Sequence, residues 1–455
     1  MNLYQLIILF TAFVIFTKAG NAQQRINKET KPPNIVFILL DDLGYGDLSC
    51  QGGKDIYTPN IDNLFEEGIK FNNFYANSPC CSPTRAALMT GRFPDMVGVP
   101  GLVRSKKEAN WGYLLPGVKS LPEMLKKVGY HTAIVGKWNL GLESPNLPND
   151  KGFDFFHGFL DDMMDDYWTH LRQGENYMRF NKDEVNPQGH ATDIFSDWSI
   201  DYIRNETKQE KPFFLYLAYN APHFPIQPPE EWLDKVKKRE KNIEEKRAKN
   251  VALVEHLDHG IGRVIKALKE ANQYENTIII FSSDNGGLLS VAASNGNLRG
   301  GKTDMYEGGI KVPTCMVWKN KIKPGSKTNV LGLTMDFYPT LCKIAGVEIE
   351  HEIDGIDLNP LISEENQKAV DRMVFFMRRD GYDIGGLCYY AMRKGQYKLV
   401  QNRPFEELQL FNTEVDPKEE KPLGDSDQLF RKLRYELSQH IRYAGSIPWE
   451  KKSSE

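Results

Sequence analysis

Two pairs of oxygen-bearing side chains stand behind two short apolar runs. Asp41-Asp42 close Asn34–Leu40, and Asp284-Asn285 follow Thr277–Phe281 after two serines. Their carboxylate and amide oxygens are hard donors, which suit Ca2+ or Mg2+ rather than zinc. One such residue at a strand end more often caps a turn. Two pairs behind two buried runs favour a metal. Two further runs deliver other groups: Thr132–Val135 leads into Gly136-Lys137, and Phe213–Ala218 into Asn220-Ala221-Pro222-His223. Four strand ends thus bring carboxylates, an ammonium and an imidazole toward one place, which marks an active site.

These runs are short, unbroken and partly β-branched, the pattern of strands buried on both faces in a parallel sheet. Helical patterns lie between them, at 121–128 and over 230–269, where a solvated Lys/Glu stretch spans 235–249. Strand and helix alternate, so the fold class is α/β with a largely parallel central sheet flanked by helices. After Pro360 the texture changes to short strands at 373–377, 388–392, 397–400 and 408–411, with a terminal helix at 429–441. This predicts a small antiparallel α+β subdomain at 363–455. The chain has 455 residues, 40% of them hydrophobic, enough for a sizeable core. Lys and Arg number 57 against 61 Asp and Glu, which argues against a broad nucleic-acid-binding face. Six cysteines in this length exclude a disulfide-stapled miniprotein, and no CxxC or HExxH occurs.

The amino terminus reads as a separate object. Leu6–Phe16 is apolar but too short to span a bilayer, and Gly20-Asn21-Ala22 supplies small residues before a cleavage point. Residues 1–22 are therefore expected to be a signal peptide, with a catalytic domain at 23–362. The n-region lacks Lys and Arg, which leaves an uncleaved anchor as the alternative. Export to the periplasm or beyond the cell follows, without stable membrane insertion, and it permits disulfides among Cys50, Cys80, Cys81, Cys315, Cys342 and Cys388.

The segment Ser78-Pro79-Cys80-Cys81-Ser82-Pro83-Thr84-Arg85, continuing to Thr90-Gly91-Arg92, resembles the signature of the type I sulfatases. These are the formylglycine-dependent, arylsulfatase and N-acetylgalactosamine-6-sulfatase-like branch of the alkaline phosphatase superfamily. Cys81 matches the modified cysteine, with Pro83 two and Arg85 four positions on; Cys80 does not fit. Asn34–Gly44, Gly129–Trp138, Ala221–Pro225, Phe281–Gly287, Leu298–Lys302 with Tyr306–Gly309, and Asp336–Leu341 resemble further stretches of the same family. The resemblance covers roughly residues 33–450 and implies an alkaline-phosphatase-like domain with a small C-terminal sheet domain.

It also implies roles. A maturing enzyme, aerobic or anaerobic, oxidises Cys81 to formylglycine (3-oxoalanine), whose hydrate attacks sulfur. Asp41, Asp42, Asp284 and Asn285, with residue 81, hold Ca2+, with Mg2+ possible. Lys137 and Lys302 bind the sulfuryl group and stabilise its charge. His223 gives the leaving oxygen its proton, and Arg85 fixes the nucleophile and the carboxylates. One position departs from the family pattern: G-K-W-H-L-G reads Gly136-Lys137-Trp138-Asn139-Leu140-Gly141 here. Asn139 can bind substrate but cannot titrate, so another base or water serves sulfate release, or release is slow. A sulfated glycan is the expected substrate. Asp161, Asp162, Asp165, Asp166, Tyr167, Trp168, His170 and Arg172, together with Trp111 and Tyr113, are candidate sugar contacts. A phosphonate or phosphate monoester hydrolase and an inactive glycan-binding relative are the alternatives. His256 and His259, three apart on a helix, suggest a metal pair, but a packed or solvated helix face is the favoured reading.

Overall fold

The computed structural model describes residues 31–209, 211–360, 371–381, 384–424 and 428–451. The expected leader, residues 1–22, and the expected domain boundary after residue 362 lie outside the described residues. The central sheet is built from β1 (Asn34–Leu40), β2 (Ile69–Phe71), β3 (His131–Lys137), β4 (Phe155–Phe159), β5 (Met178–Phe180), β6 (Asp183–Glu184), β7 (Phe213–Ala218), β8 (Thr277–Ser283), β9 (Thr314–Trp318) and β10 (Ser326–Thr328). In space the order is β10-β2-β9-β8-β1-β7-β3-β4-β5-β6. The middle strands β8, β1, β7, β3 and β4 are mutually parallel. Antiparallel β9 and β5 extend the sheet on its two sides.

Each middle strand feeds two cores, which is why its sequence is an unbroken apolar run. From β1, Val36, Ile38 and Leu40 pack with residues of helices Pro59–Glu67, Ala191–Glu206 and Glu245–Glu270. Ile35, Phe37 and Leu39 face the other way, onto Cys81–Thr90, Leu121–Lys126 and Phe337–Ala345. Burying both faces leaves the strand ends as the place where polar side chains collect. Gly136 makes the crowding there explicit: it adopts φ +105°, and a Cβ on it would lie 2.0 Å from the Ala218 carbonyl oxygen.

The C-terminal sheet, Met373–Arg379, Cys388–Lys394, Tyr397–Val400 and Gln409–Asn412, is antiparallel throughout. One face carries Val374, Phe376, Tyr389 and Phe411 into a core shared with Tyr75, Ala87, Met305 and Leu333 of the main body. The other carries Met392, Leu399 and Leu410 onto Phe430, Leu433 and Leu437 of helix Gln428–Ala444. The six cysteines are free thiols. Among the described residues no helix is long and apolar enough to cross a membrane.

Candidate active site

Asp41 and Asp42 leave β1, Lys137 ends β3, His223 lies beyond β7, and Asp284 and Asn285 follow β8. All of these side chains are buried. Cys81 is the first residue of helix Cys81–Thr90, every residue of which is buried, and the helix projects Arg85 beneath the strand ends. Asp42 turns out of the strand at φ +67°, a left-handed conformation that a non-glycine residue holds only when its surroundings impose it.

The carboxylates and cations pair closely. Lys137 Nζ donates to Asp41 Oδ2 at 2.6 Å and Lys302 Nζ to Asp42 Oδ2 at 2.8 Å. Arg85 donates through Nε (3.0 Å) and Nη2 (2.7 Å) to Asp284 Oδ2 and through Nη1 to the Lys137 carbonyl at 3.0 Å. The Asp42 amide donates to Asp284 Oδ1 at 3.2 Å. Burial pushes both aspartates toward protonation. At Asp41 the cations Lys137, His223, Arg85 and Lys302 outweigh it and hold the carboxyl well below its usual range. At Asp284 burial and the Asp41 charge prevail, and the carboxyl rises. Burial opposes charge on Lys302, but Asp42 more than reverses this and raises the ammonium.

Cys81 Sγ donates to Asp41 Oδ1 at 3.3 Å. Burial, with Asp284 and Asp41, pushes its thiol well above the ordinary value. A thiol held protonated is a poor nucleophile. His223 Nδ1 lies 2.6 Å from the Phe224 carbonyl oxygen, which makes Nδ1 the donor and turns Nε2 toward Asp42 Oδ2 at 3.6 Å. Burial first, then Lys302, lowers its pKa.

The oxygens of Asp41, Asp42, Asp284 and Asn285 fit a hard divalent cation. Asp41 and Asp42 each bring a carboxylate oxygen within 4.8 Å of Cys81 Sγ and of a His223 ring nitrogen, which are softer donors. Asn285 donates from Nδ2 to Asp42 Oδ1 at 2.8 Å, while its buried Oδ1 has no hydrogen-bond partner among the described residues. A buried amide oxygen without a donor is what an oxygen-binding cation satisfies.

Nine of the ten residues given catalytic, sulfate-binding or metal roles in the sequence meet here. Asn139 stands apart: it leaves β3 at φ +59° and its Nδ2 donates to the Val103 carbonyl at 2.8 Å. The candidate sugar contacts divide. Trp168 is exposed, whereas Tyr167 is fully buried and Asp162 is paired with Arg104 and Arg172. Trp111 stacks on Trp449, at 5.6 Å between ring centroids. His256 pairs with Asp193 beside His190. The sequence carried no sign of the Phe224 carbonyl as partner of His223, because a main-chain contact leaves no residue-type signal.

The sulfatase family model matches residues 33–347, and a model described as N-sulphoglucosamine sulphohydrolase, C-terminal, matches 301–444. The N-acetylgalactosamine-6-sulfatase of Canis lupus familiaris is 32% identical over 390 residues, covering 81% of this chain and 71% of its own. Human arylsulfatase A is 31% identical, with coverages of 81% and 74%. Among solved structures, Ps i-CgsB in complex with k-i-k-neocarrahexaose superposes with TM-score 0.84 at 32% identity, covering 92% of this chain and 95% of that one. The PsFucS1 sulfatase from Pseudoalteromonas sp. gives 0.78 at 26% identity, with coverages of 97% and 95%.

Proposed function

The chain belongs to the sulfatase family and is a sulfatase, and from that premise we propose that it removes sulfate from a sulfated carbohydrate through Cys81 oxidised to formylglycine. The observation that carries this reading is the contact of Cys81 Sγ with Asp41, 3.3 Å, in a buried cluster with Arg85, Lys137 and His223, which the partly buried Lys302 joins through Asp42. Asp41, Asp42, Asp284 and Asn285 would hold a divalent cation, Ca2+ by their chemistry, with residue 81 beside them. When bound, that cation supplies positive charge against the sulfuryl oxygens and favours the ionised nucleophile. The aldehyde hydrate is the nucleophile that oxidation of residue 81 supplies.

The remaining work falls to this chain's own side chains. Lys137 and Lys302 are preorganised ammonium groups that meet charge developing on the sulfuryl oxygens. Arg85 sets the geometry by tying Asp284 to the end of β3 with one rigid fork. His223, with Nδ1 bound to the Phe224 carbonyl, has Nε2 for protonating the leaving sugar oxygen. Asn139 cannot take a proton, so sulfate release uses an acceptor other than residue 139. The names of the N-acetylgalactosamine-6-sulfatase relatives and the neocarrahexaose bound in a structural neighbour support a sulfated glycan as substrate. Export and a dedicated formylglycine-forming enzyme belong to the same reading.

The test compares kcat/KM on a sulfated oligosaccharide and on nitrophenyl sulfate. His223→Ala should damage the sugar sulfate far more, because a nitrophenolate leaves without a proton. Lys302→Ala should damage both alike. A correctly matured protein that releases no sulfate from any ester would overturn the proposal and leave the glycan-binding alternative, which Asn139 favours.

A further inference from the structure

Tyr167 is fully buried, and its hydroxyl lies 2.8 Å from the carbonyl oxygen of Asn220 and 2.8 Å from that of His223. We infer that Tyr167 is a positioning residue for His223: its hydroxyl clamps the turn from 220 to 223 that aims the imidazole. The inference rests on the role given to His223 above.

That turn is held at few points. The Ala221 carbonyl accepts from the Asp41 amide at 3.2 Å, which fixes its inner edge to β1. The His223 amide closes the turn on the Asn220 carbonyl at 3.1 Å. Asn220 Nδ2 also lies 3.4 Å from Met164 Sδ; beyond these, the Tyr167 hydroxyl shares its single proton between the first and last carbonyls, so losing it removes a tie from both ends together and leaves the His223 carbonyl without its donor. Tyr167 is itself locked. Its amide donates to Gln227 Oε1 at 2.8 Å, its carbonyl accepts from the Ala191 amide at 2.9 Å, and its ring stacks on His190 at 5.0 Å. Gln227 also donates to Asp166 Oδ2 at 2.9 Å and accepts from His190 Nε2 at 3.0 Å through its carbonyl. The next residue, Trp168, is exposed. One short segment therefore joins the protein surface to the group that protonates the leaving oxygen. A sub-ångström error in such a group is expensive, since proton transfer requires the donor within hydrogen-bond reach as the S–O bond breaks.

Tyr167→Phe keeps the buried ring and removes only the clamp. It should lower kcat on a sulfated oligosaccharide by about 10- to 30-fold, the effect of losing one buried hydrogen-bond donor shared by two carbonyls. KM should stay within about threefold and nitrophenyl sulfate turnover within about threefold. In a His223→Ala background the same substitution should change kcat by less than about twofold, because the clamp then has nothing to aim. Equal losses on both substrates, or full additivity with His223→Ala, would overturn the inference. If His223→Ala itself fails to separate the two substrates while non-additivity persists, the fault lies in the general-acid role and the clamp stands. Should Tyr167→Phe not accumulate as folded protein, Gln227→Met releases the Tyr167 amide and carries the same two expectations.

Discussion

Replacing Lys398 with methionine removes the central cation from a fully buried cluster that joins the C-terminal sheet to the loop bearing Lys302. Lys398 Nζ donates to Glu307 Oε1 at 3.0 Å and to Glu419 Oε1 at 2.9 Å. In the variant Glu307 retains the Tyr75 hydroxyl at 2.7 Å and Arg393 at 3.6 Å. Glu419 retains the Glu307 amide at 2.7 Å, but no cation within ion-pairing distance among the described residues. Breaking a buried pair from one side strands the other charge and costs about 3–5 kcal/mol. For a unit of roughly 420 residues, an unfolding entropy of ~2.1 cal/mol/K per residue converts this to a Tm loss of about 3–6 °C. The pH dependence follows from Glu307. Burial raises its pKa, but Lys398 and Arg393 outweigh burial and bring it to about 2, from 4.5. That contribution is fully present above pH 4.5 and is lost as pH falls toward about 2. Removing Lys398 weakens it and favours protonated Glu419, so the gap between wild type and variant should be widest near pH 7 and narrow as pH falls from 4.5 toward about 2. Thermal melts from about pH 2.5 to 8 read both quantities. A Tm loss below about 1 °C at pH 7, or a gap that does not change with pH, would refute the reasoning.

Two further outcomes are expected at the site itself. Cys81→Ala should abolish turnover with little change in Tm, because the side chain is small, packs only in a small apolar cluster with Cys80 and Leu102, and makes one hydrogen bond among the described residues, to Asp41; residual hydrolysis of a few per cent in a kinetic assay would remove Cys81 from the covalent role. Exhaustive chelation should inactivate the enzyme, and re-addition of Ca2+ should restore it, because the cation balances carboxylates that otherwise repel one another and the anionic ester. Asp284→Ala should prevent that restoration, and full activity with metal shown absent by elemental analysis would disprove a catalytic cation.

What could be read from the sequence follows from which interactions are local. The parallel strands β1, β3, β7 and β8 stood out because burial on both faces forces an unbroken apolar run. β4 did not, since Phe155–Phe159 is interrupted by His157 and Gly158. The edge strand Ser326–Thr328 and its neighbour Ile69–Phe71 are three residues each, and their pairing joins segments far apart in the chain. Helix Cys81–Thr90 is buried on every side and so has no polar face to give it a period; only its signature marked it. Tyr167 misled in the opposite direction. Among acids and aromatics it read as a sugar contact, whereas its hydroxyl meets main-chain carbonyls, which no residue type announces.

Asn139 shows how the fold separates what a position does from what its residue can do. It lies two residues beyond Lys137, and its amide donates to the Leu160 carbonyl at 3.1 Å, so β3 and β4 fix its place. Its Nδ2 holds the Val103 carbonyl, and the Val103 amide in turn donates to Ser82 Oγ at 2.9 Å, beside Cys81. The side chain is therefore a strut between the end of β3 and the loop packed on the signature helix. Its buried Oδ1 has no hydrogen-bond partner, so residue 139 offers an acceptor. An amide oxygen accepts a hydrogen bond but does not carry a proton away. Under the proposed mechanism, an asparagine here leaves the proton of sulfate release to another acceptor, while Asp41 and Asp42 behind β1, Asp284 behind β8, Lys137 at the end of β3 and Arg85 on the signature helix keep their own contacts.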